Sequence, residues 1–370
     1  MSTLASLHPR RILVCQLRQI GDVILTTPAL ALLKRRFPDA AVHMVTEKKC
    51  APVLYGNPHI DTLWDLDKSA LSPLNRELAW YWKVARQHFD LVIDFQQLPR
   101  CRWIVGFSGA PVRLSFAGPW YNRLLYTDIV TLKYTYSAFH KASMLEPLGI
   151  QCHDEPPRIY LSEEERLEIR QALAQLGRAP GQPVVTLGVT HKDNARRWPA
   201  EYYAQLAANL LEAEPGIVFL PLWGPGEEGT IKALLAAMPP AVRAATLLLQ
   251  HKPTLRRMAA CIAEASLHIG NCSAPRHMAV AVDTPSCIVL GASSDAWTYP
   301  SPWHQTVRLG LPCQPCRGDS CQENFRCLRE LRPDAVLGTA LALLRKRFLS
   351  EPAPDMGARL DGSAVQAYTG

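Results

Sequence analysis

What most constrains this chain is a recurring local pattern: a short apolar run, a polar turn containing small residues, then a longer helical segment. It appears first at RILVCQ (11–16), which passes through LRQIGD into VILTTPALALLKRRF. AVHMVT (41–46) and DLVIDF (90–95) are further apolar runs, the second preceded by an amphipathic stretch over 75–88. Short apolar runs bounded by turn residues read as strands buried on both faces. Their alternation with helices argues for a parallel sheet covered by helices. The first helix is expected to start near Gly21-Asp22, since an acidic residue is favoured in a first turn, and to end at Pro38-Asp39.

A second series of the same kind follows a joint over 151–182, which holds Pro156-Pro157, a helix opened by the capping box Ser162-x-x-Glu165, and the segment GRAPGQP. PVVTLGVT (183–190), GIVFLPLWG, SLHIGN (266–271) and PSCIVLG (285–291) read as strands, with helices at WPAEYYAQLAANLLEA (198–213) and PRHMAVAV. With 370 residues, two domains are expected: residues 1–165, residues 166–350, and a disordered tail over 351–370. Two such units place a crevice between the carboxyl ends of two sheets, which suits an enzyme that brings two substrates together.

Charge is unevenly spread. The first 150 residues hold 18 Lys+Arg against 11 Asp+Glu, so the whole net charge of +7 lies there. That asymmetry points to an anionic partner. Nucleic acid is disfavoured, because no basic motif interleaved with aromatics is present. No apolar run is long enough to span a membrane. Without a signal-peptide pattern, a cytoplasmic protein with mostly reduced thiols is expected.

Five segments carry candidate chemistry. In LRQIGD, Arg18 supplies charge, Gly21 allows close approach, and Asp22 is placed to act as general base for a hydroxyl. In THKDNARRWP, beginning at Thr190, Arg196 and Arg197 could grip phosphate oxygens, while Trp198 alternatively plugs a solvated loop. In WGPGEE, Glu227 or Glu228 could bind a ribose diol or simply start a helix. In GNCSAPRHMA, Cys272, Ser273 and Ala274 form a turn before a helix bearing His277. Finally Cys313, Cys316, Cys321 and Cys327 could hold a structural metal, form disulfides or remain free.

These segments, in this order, resemble the bacterial ADP-heptose:lipopolysaccharide heptosyltransferases of glycosyltransferase family 9, and especially the heptosyltransferase II branch. The resemblance runs over about residues 10–345, on RILVCQLRQIGDVILTTPALALLKRRFPDA, ARRWPAEYYAQLA, GNCSAPRHMAVAVDTPSCIVLGASS and PCQPCRGDSCQENFRCLREL. It implies a GT-B fold: two Rossmann-like domains, with acceptor on the first and nucleotide-sugar on the second. It implies inverting transfer of heptose from ADP-L-glycero-D-manno-heptose to the lipopolysaccharide inner core, with no cofactor and no catalytic metal. Asp22 then matches the general base, and Arg196 falls where a lysine usually contacts the donor phosphates. Glu228, or Glu227, matches a ribose-binding glutamate. Ser273 and Ala274 match the phosphate-binding turn, and His277 the helix histidine.

The turn departs from the family. Where Asn-Asp-Ser-Gly is usual, this chain has Asn271-Cys272-Ser273-Ala274. A thiol replaces a carboxylate that would contact the sugar, and a methyl group narrows the approach to phosphate if that position needs positive φ. Two alternatives follow: a family member using another nucleotide-sugar or a protein acceptor with cysteine-bound iron, or a non-catalytic binding protein. For an acceptor bearing lipid A and Kdo, Lys34-Arg35-Arg36 and Lys48-Lys49 are the expected contacts. The same charge would favour weak peripheral attachment to the cytoplasmic face of the inner membrane.

Overall fold

The computed structural model describes residues 3–133, 136–151, 155–316 and 321–350. The expected tail over 351–370 lies outside the described residues. Two all-parallel sheets form. The first contains β1 (Arg11–Cys15), β2 (Ala41–Glu47), β3 (Thr62–Leu66), β4 (Leu91–Asp94), β5 (Val112–Phe116) and β6 (Asp128–Val130), in the order β3-β2-β1-β4-β5-β6. The second contains β7 (Val184–Gly188), β8 (Val218–Pro221), β9 (Leu267–Asn271), β10 (Ser286–Val289) and β11 (His304–Val307), in the order β11-β10-β9-β7-β8. Strand order reverses between β1 and β4 in one sheet and between β7 and β9 in the other. Crevices open at such switch points, outside the carboxyl ends of the strands.

The strands legible in the sequence are the buried ones: the central strands and β8, which lies at an edge of the second sheet yet is covered. Every residue of β4, β7, β8, β9 and β10 is buried, as are the last four of β1. The strands that the apolar pattern missed are β3, β5, β6 and β11. Three of them lie at sheet edges, and all four carry partly exposed residues.

One expected element is corrected. The segment after LRQIGD is two helices, Ile20–Ile24 and Thr27–Arg36, rather than one. Pro28 sits in the first turn of the second, where a missing N–H costs nothing but a continuous helix is interrupted. The Thr26 hydroxyl donates to the Asp22 carbonyl (2.8 Å) and that of Thr27 to the Ile24 carbonyl (2.7 Å), which satisfies the end of the first helix. The capping box at Ser162 and Glu165 forms as expected: Glu165 N donates to Ser162 Oγ (3.3 Å) and Ser162 N to Glu165 Oε2 (2.9 Å).

Arg256 fastens the two halves. It donates to the Tyr55 carbonyl (2.8 Å) in the first half, to the Tyr160 carbonyl (2.8 Å) in the connecting segment, and to Glu165 Oε1 (2.6 Å). At the second switch point the strands meet around a buried imidazole. His268 is fully buried on β9 and its Nδ1 faces Thr186 Oγ1 at 3.0 Å. Burial pushes its pKa down to about 3, so the ring is neutral. A Cβ at Gly270 would stand 2.9 Å from His268 Nε2 and 3.1 Å from the Gly188 carbonyl oxygen. Gly270→Ala is therefore expected to destabilise the fold by about 1–3 kcal/mol, seen as a lower urea midpoint with an unchanged slope.

Candidate functional site

At the first switch point, β1 runs into a loop whose shape is fixed by buried amides. Gln16 is 1% exposed, and its Nε2 donates to the Arg18 carbonyl (2.7 Å). Leu17 N and Arg18 N both donate to Gln96 Oε1 (3.0 and 3.1 Å). Gln96 is itself held after β4 by the buried Asp94, whose Oδ1 accepts from Gln96 N (2.9 Å) and whose Oδ2 accepts from Tyr126 (2.7 Å). Arg18 remains exposed at the tip of the loop.

Asp22 lies in the first turn of the helix that follows, and its side chain is 25% exposed. Oδ2 accepts from Gln19 N at 3.4 Å. Oδ1 faces Lys141 Nζ at 3.5 Å, and Lys141 also donates to Gln16 Oε1 (2.7 Å) and the Asp22 carbonyl (3.3 Å). Lys141 is 8% exposed and comes from the helix Ser137–Ser143. Sequence reasoning missed it, because it lies 119 residues from Asp22. Its short helix, SAFHKAS, carries no motif. Burial pushes its pKa below the ordinary lysine range, and the Asp22 carboxylate opposes that shift.

At the second switch point, the loop after β7 carries Thr190, Arg196 and Arg197. Trp198 is fully buried and ties this loop down: its backbone N donates to Asn271 Oδ1 (3.0 Å) and its indole to the Leu331 carbonyl (2.8 Å). Asn271 Nδ2 reaches the Thr190 carbonyl at 3.5 Å. Arg196 Nε stands 3.6 Å from Asp193 Oδ2, while Arg197 is exposed and its guanidinium bonds Asn194 Oδ1. Arg196 lines a cavity of about 490 Å³ with Ser293, Ser294, Trp297, Pro315 and Cys316.

The turn after β9 behaves differently from the sequence expectation. Ser273 caps the helix Ala274–Ala281 in extended geometry, and Ala274 is its first residue rather than a positive-φ position, so its methyl group adds no backbone strain. Cys272 Sγ accepts from Arg276 Nη1 at 3.0 Å, and Arg276 Nη2 donates to Thr298 Oγ1 (2.8 Å). Arg276 is 4% exposed, and among the described residues no carboxylate pairs with it. Gly21 and His277 are brought together: a Cβ at Gly21 would stand 2.7 Å from His277 Cδ2. His277 is buried, and burial together with Arg276 and Lys141 holds its pKa well below the usual range. Glu227 Oε2 accepts from Gly224 N (2.6 Å), which closes its turn, while Glu228 is exposed at the start of the helix Glu228–Ala237.

The structure also places the basic residues and the clustered cysteines. Four of the five basic residues singled out near the start are already ion-paired: Lys34 with Asp61 (2.9 Å), Arg35 with Glu155 (2.7 Å), Lys48 with Asp67 (2.8 Å) and Lys49 with Glu47 (2.9 Å). Arg36 donates to the Ala5 carbonyl and lies over Phe37. The four clustered cysteines are free thiols, and among the described residues no three ligand-type side chains gather as a metal site. Cys321 Sγ instead accepts from Phe325 N (3.2 Å), and burial with the three neighbouring thiols pushes Cys327 up to about 11.

The sequence matches the family described as Glycosyltransferase family 9 (heptosyltransferase) over residues 79–325, well over half of the chain. The chain belongs to glycosyltransferase family 9. Lipooligosaccharide heptosyltransferase 2 of Campylobacter jejuni is 25% identical over 342 residues, covering 89% of this chain and 97% of the relative. Lipopolysaccharide heptosyltransferase 3 of Escherichia coli K12 is 24% identical over 308 residues, covering 79% and 85%. Proteins named heptosyltransferase 1, 2 and 3 match at comparable identity, so the family is supported without a preference for the II branch. The crystal structure of a family 9 glycosyltransferase from Veillonella parvula superposes with a TM-score of 0.78 at 23% identity, covering 91% of this chain and 98% of that one. E. coli ADP-heptose lps heptosyltransferase II gives 0.73 at 19% identity, covering 91% and 99%. The fold is GT-B.

In this glycosyltransferase, Lys141 holds the carboxylate of Asp22 from its buried side. Rising pH should discharge Lys141 below the ordinary lysine range, so kcat should fall on that alkaline limb while the donor KM stays flat. Lys141→Met should lose about 10-fold or more in kcat and also lose that limb. A Lys141→Met profile that still falls at the same pH would assign the limb to another group.

Proposed function

We propose that this protein transfers heptose from an ADP-heptose donor to the inner core of lipopolysaccharide. The observation carrying this reading is the pairing of sites at the two switch points: a held carboxylate on the first half, and an arginine-lined cavity on the second. The first half, through residue 165, takes the acceptor, and residues 166–350 take the donor. Asp22 removes the proton from the acceptor hydroxyl, whose oxygen attacks C1 of the sugar. The bond from C1 to the diphosphate oxygen breaks with its electrons going to ADP, and the single displacement inverts C1.

Arg196 neutralises charge developing on the departing diphosphate, and Arg197, Thr190 and the Ser273-Ala274 turn complete the phosphate contacts. Exposed Glu228 is free for the ribose, whereas Glu227 is occupied in its own turn. Arg18 faces the acceptor. The relatives' names supply the substrate class: lipopolysaccharide and lipooligosaccharide heptosyltransferases. An E. coli heptosyltransferase has been solved with ADP-2-deoxy-2-fluoro heptose. No protein cofactor is invoked, and the reaction is assigned to the cytoplasmic face of the inner membrane.

One observation favours a second reading in which the donor sugar differs. Arg276 is buried beside Cys272 where the family's usual aspartate would balance its charge, so the sugar subsite is more positive than the resemblance implies. ADP release from ADP-heptose, with Kdo2–lipid A and its monoheptosylated form as separate acceptors, separates the two. Wild type should turn over with one acceptor, and Asp22→Asn should lose about 10²–10⁴-fold in kcat. Silence in wild type with recovery in Cys272→Asp would support the altered donor. Full activity in Asp22→Asn would overturn the assigned base.

A further inference from the structure

The first half carries an exposed aromatic face that transfer chemistry does not use. Trp82 and Trp103 are each 51% exposed, and Trp120 and Leu124 each 79%. They come from the helix Leu74–Ala85, the helix Pro99–Ser108 and the segment around the short helix Asn122–Leu125. Ring contacts gather the aromatic residues into two groups, both carried in part by the helix Pro99–Ser108. Trp82 and Trp103 both pack on Phe107 with centroids 5.4 Å away. Arg102, beside Trp103, lies 5.0 Å over Tyr121, which meets Trp120 edge-on at 6.0 Å. Large exposed apolar patches of this kind mark surfaces that bind something.

The charge on this face identifies the partner. Arg86 stacks on Trp82 at 5.1 Å, and Arg123 is exposed in the last turn of its helix. Neither these two nor Arg102 pairs with a carboxylate among the described residues, in contrast to Lys34, Arg35, Lys48 and Lys49. From Phe95 to Thr127 the chain has four arginines and no Asp or Glu, although Arg100 is paired with Glu77 of the helix Leu74–Ala85 and Arg113 donates to the Leu125 carbonyl (2.6 Å). Indole rings favour the boundary between headgroups and acyl chains, and nearby arginines favour an anionic leaflet. Among the described residues no helix is long and apolar enough to cross a membrane, so contact through this face would be at the surface.

Its position fits that role. The helix Pro99–Ser108 starts just after the carboxyl end of β4 and the segment around Trp120 just after that of β5, at the same end of the sheet as the Arg18 loop, while Trp82 and Phe107, in the last turns of their helices, extend the face toward the other end. Gln96, which pins that loop, lies three residues before the helix. We infer that the face built on Trp82, Trp103 and Trp120, with Arg86, Arg102 and Arg123, seats the protein on an anionic bilayer surface. The inference rests on the proposed function only for why a lipid-linked acceptor would make such seating useful; the binding itself is independent of transfer.

The test is flotation of the purified full-length chain with vesicles of phosphatidylcholine alone or mixed with phosphatidylglycerol. Wild type should float with the mixed vesicles, release at high salt, and show tryptophan emission quenched by brominated acyl chains. The triple change Arg86→Gln, Arg102→Gln, Arg123→Gln and the pair Trp103→Ser, Trp120→Ser should each weaken binding by about tenfold or more. Arg35→Gln with Lys48→Gln should not. The Trp pair should retain ADP release with a detergent-dispersed acceptor, which separates lost seating from lost folding or chemistry. Wild type that ignores mixed vesicles, or a Trp pair that binds as well as wild type, would overturn the inference. So would a wild-type dimer that becomes monomeric in the Trp pair, since a second copy would then be the occupant.

Discussion

Gly21 and His277 touch, and the geometry of the site depends on that contact. Each belongs to the helix that leaves a switch point of its sheet, so their approach brings the two crevices against each other. Only a residue without a side chain permits it, since a Cβ at Gly21 would come within 2.7 Å of the His277 ring. Around the contact, Leu25 packs with Tyr136 and Ala138, and with the partly buried Phe139, Trp297 and Tyr299. Both halves therefore contribute to one apolar seam. Lys141 reaches Asp22 from the same side.

Work is divided between the halves by charge. On the first, an acidic side chain is held by a buried ammonium and a ring of amides around the Arg18 loop. On the second, Arg196 and Arg276 supply positive charge, and the described carboxylates near them are few: Asp193 stands 3.6 Å from Arg196, and Arg276 has a thiol instead. A buried cation such as Arg276 is costly unless an anion arrives. Under the proposed function, that anion is the diphosphate of the donor.

Much of this was legible in the sequence, and what was not has physical causes. Central strands announced themselves because parallel strands buried on both faces must be continuously apolar. Edge strands such as β6 and β11 did not, since half of their residues face solvent. Asp22, Arg196 and His277 could be singled out as candidates because each lies in the loop or helix that follows a buried strand. Lys141 escaped because its partner is far away in sequence. The ion pairs made by the basic residues at 34–36 and 48–49 were illegible for the same reason. Asp61, Glu155 and Asp67, which neutralise three of those residues, lie 19 to 120 residues away. The aromatic face was equally hidden, because three separate elements contribute to it. Ala274 illustrates the opposite error: a substitution feared for backbone strain proves to occupy an ordinary helical start.

The central claim is that donor recognition lies with the second half and proton removal with the first. Calorimetric titration of ADP into the free protein tests it without any acceptor. Arg196→Ala should weaken ADP binding by about 10-fold or more, as expected for loss of a charge-assisted phosphate contact. Asp22→Asn should bind ADP as wild type does. Equal weakening in both variants would contradict the division, since a carboxylate in the first half would then be part of the nucleotide site.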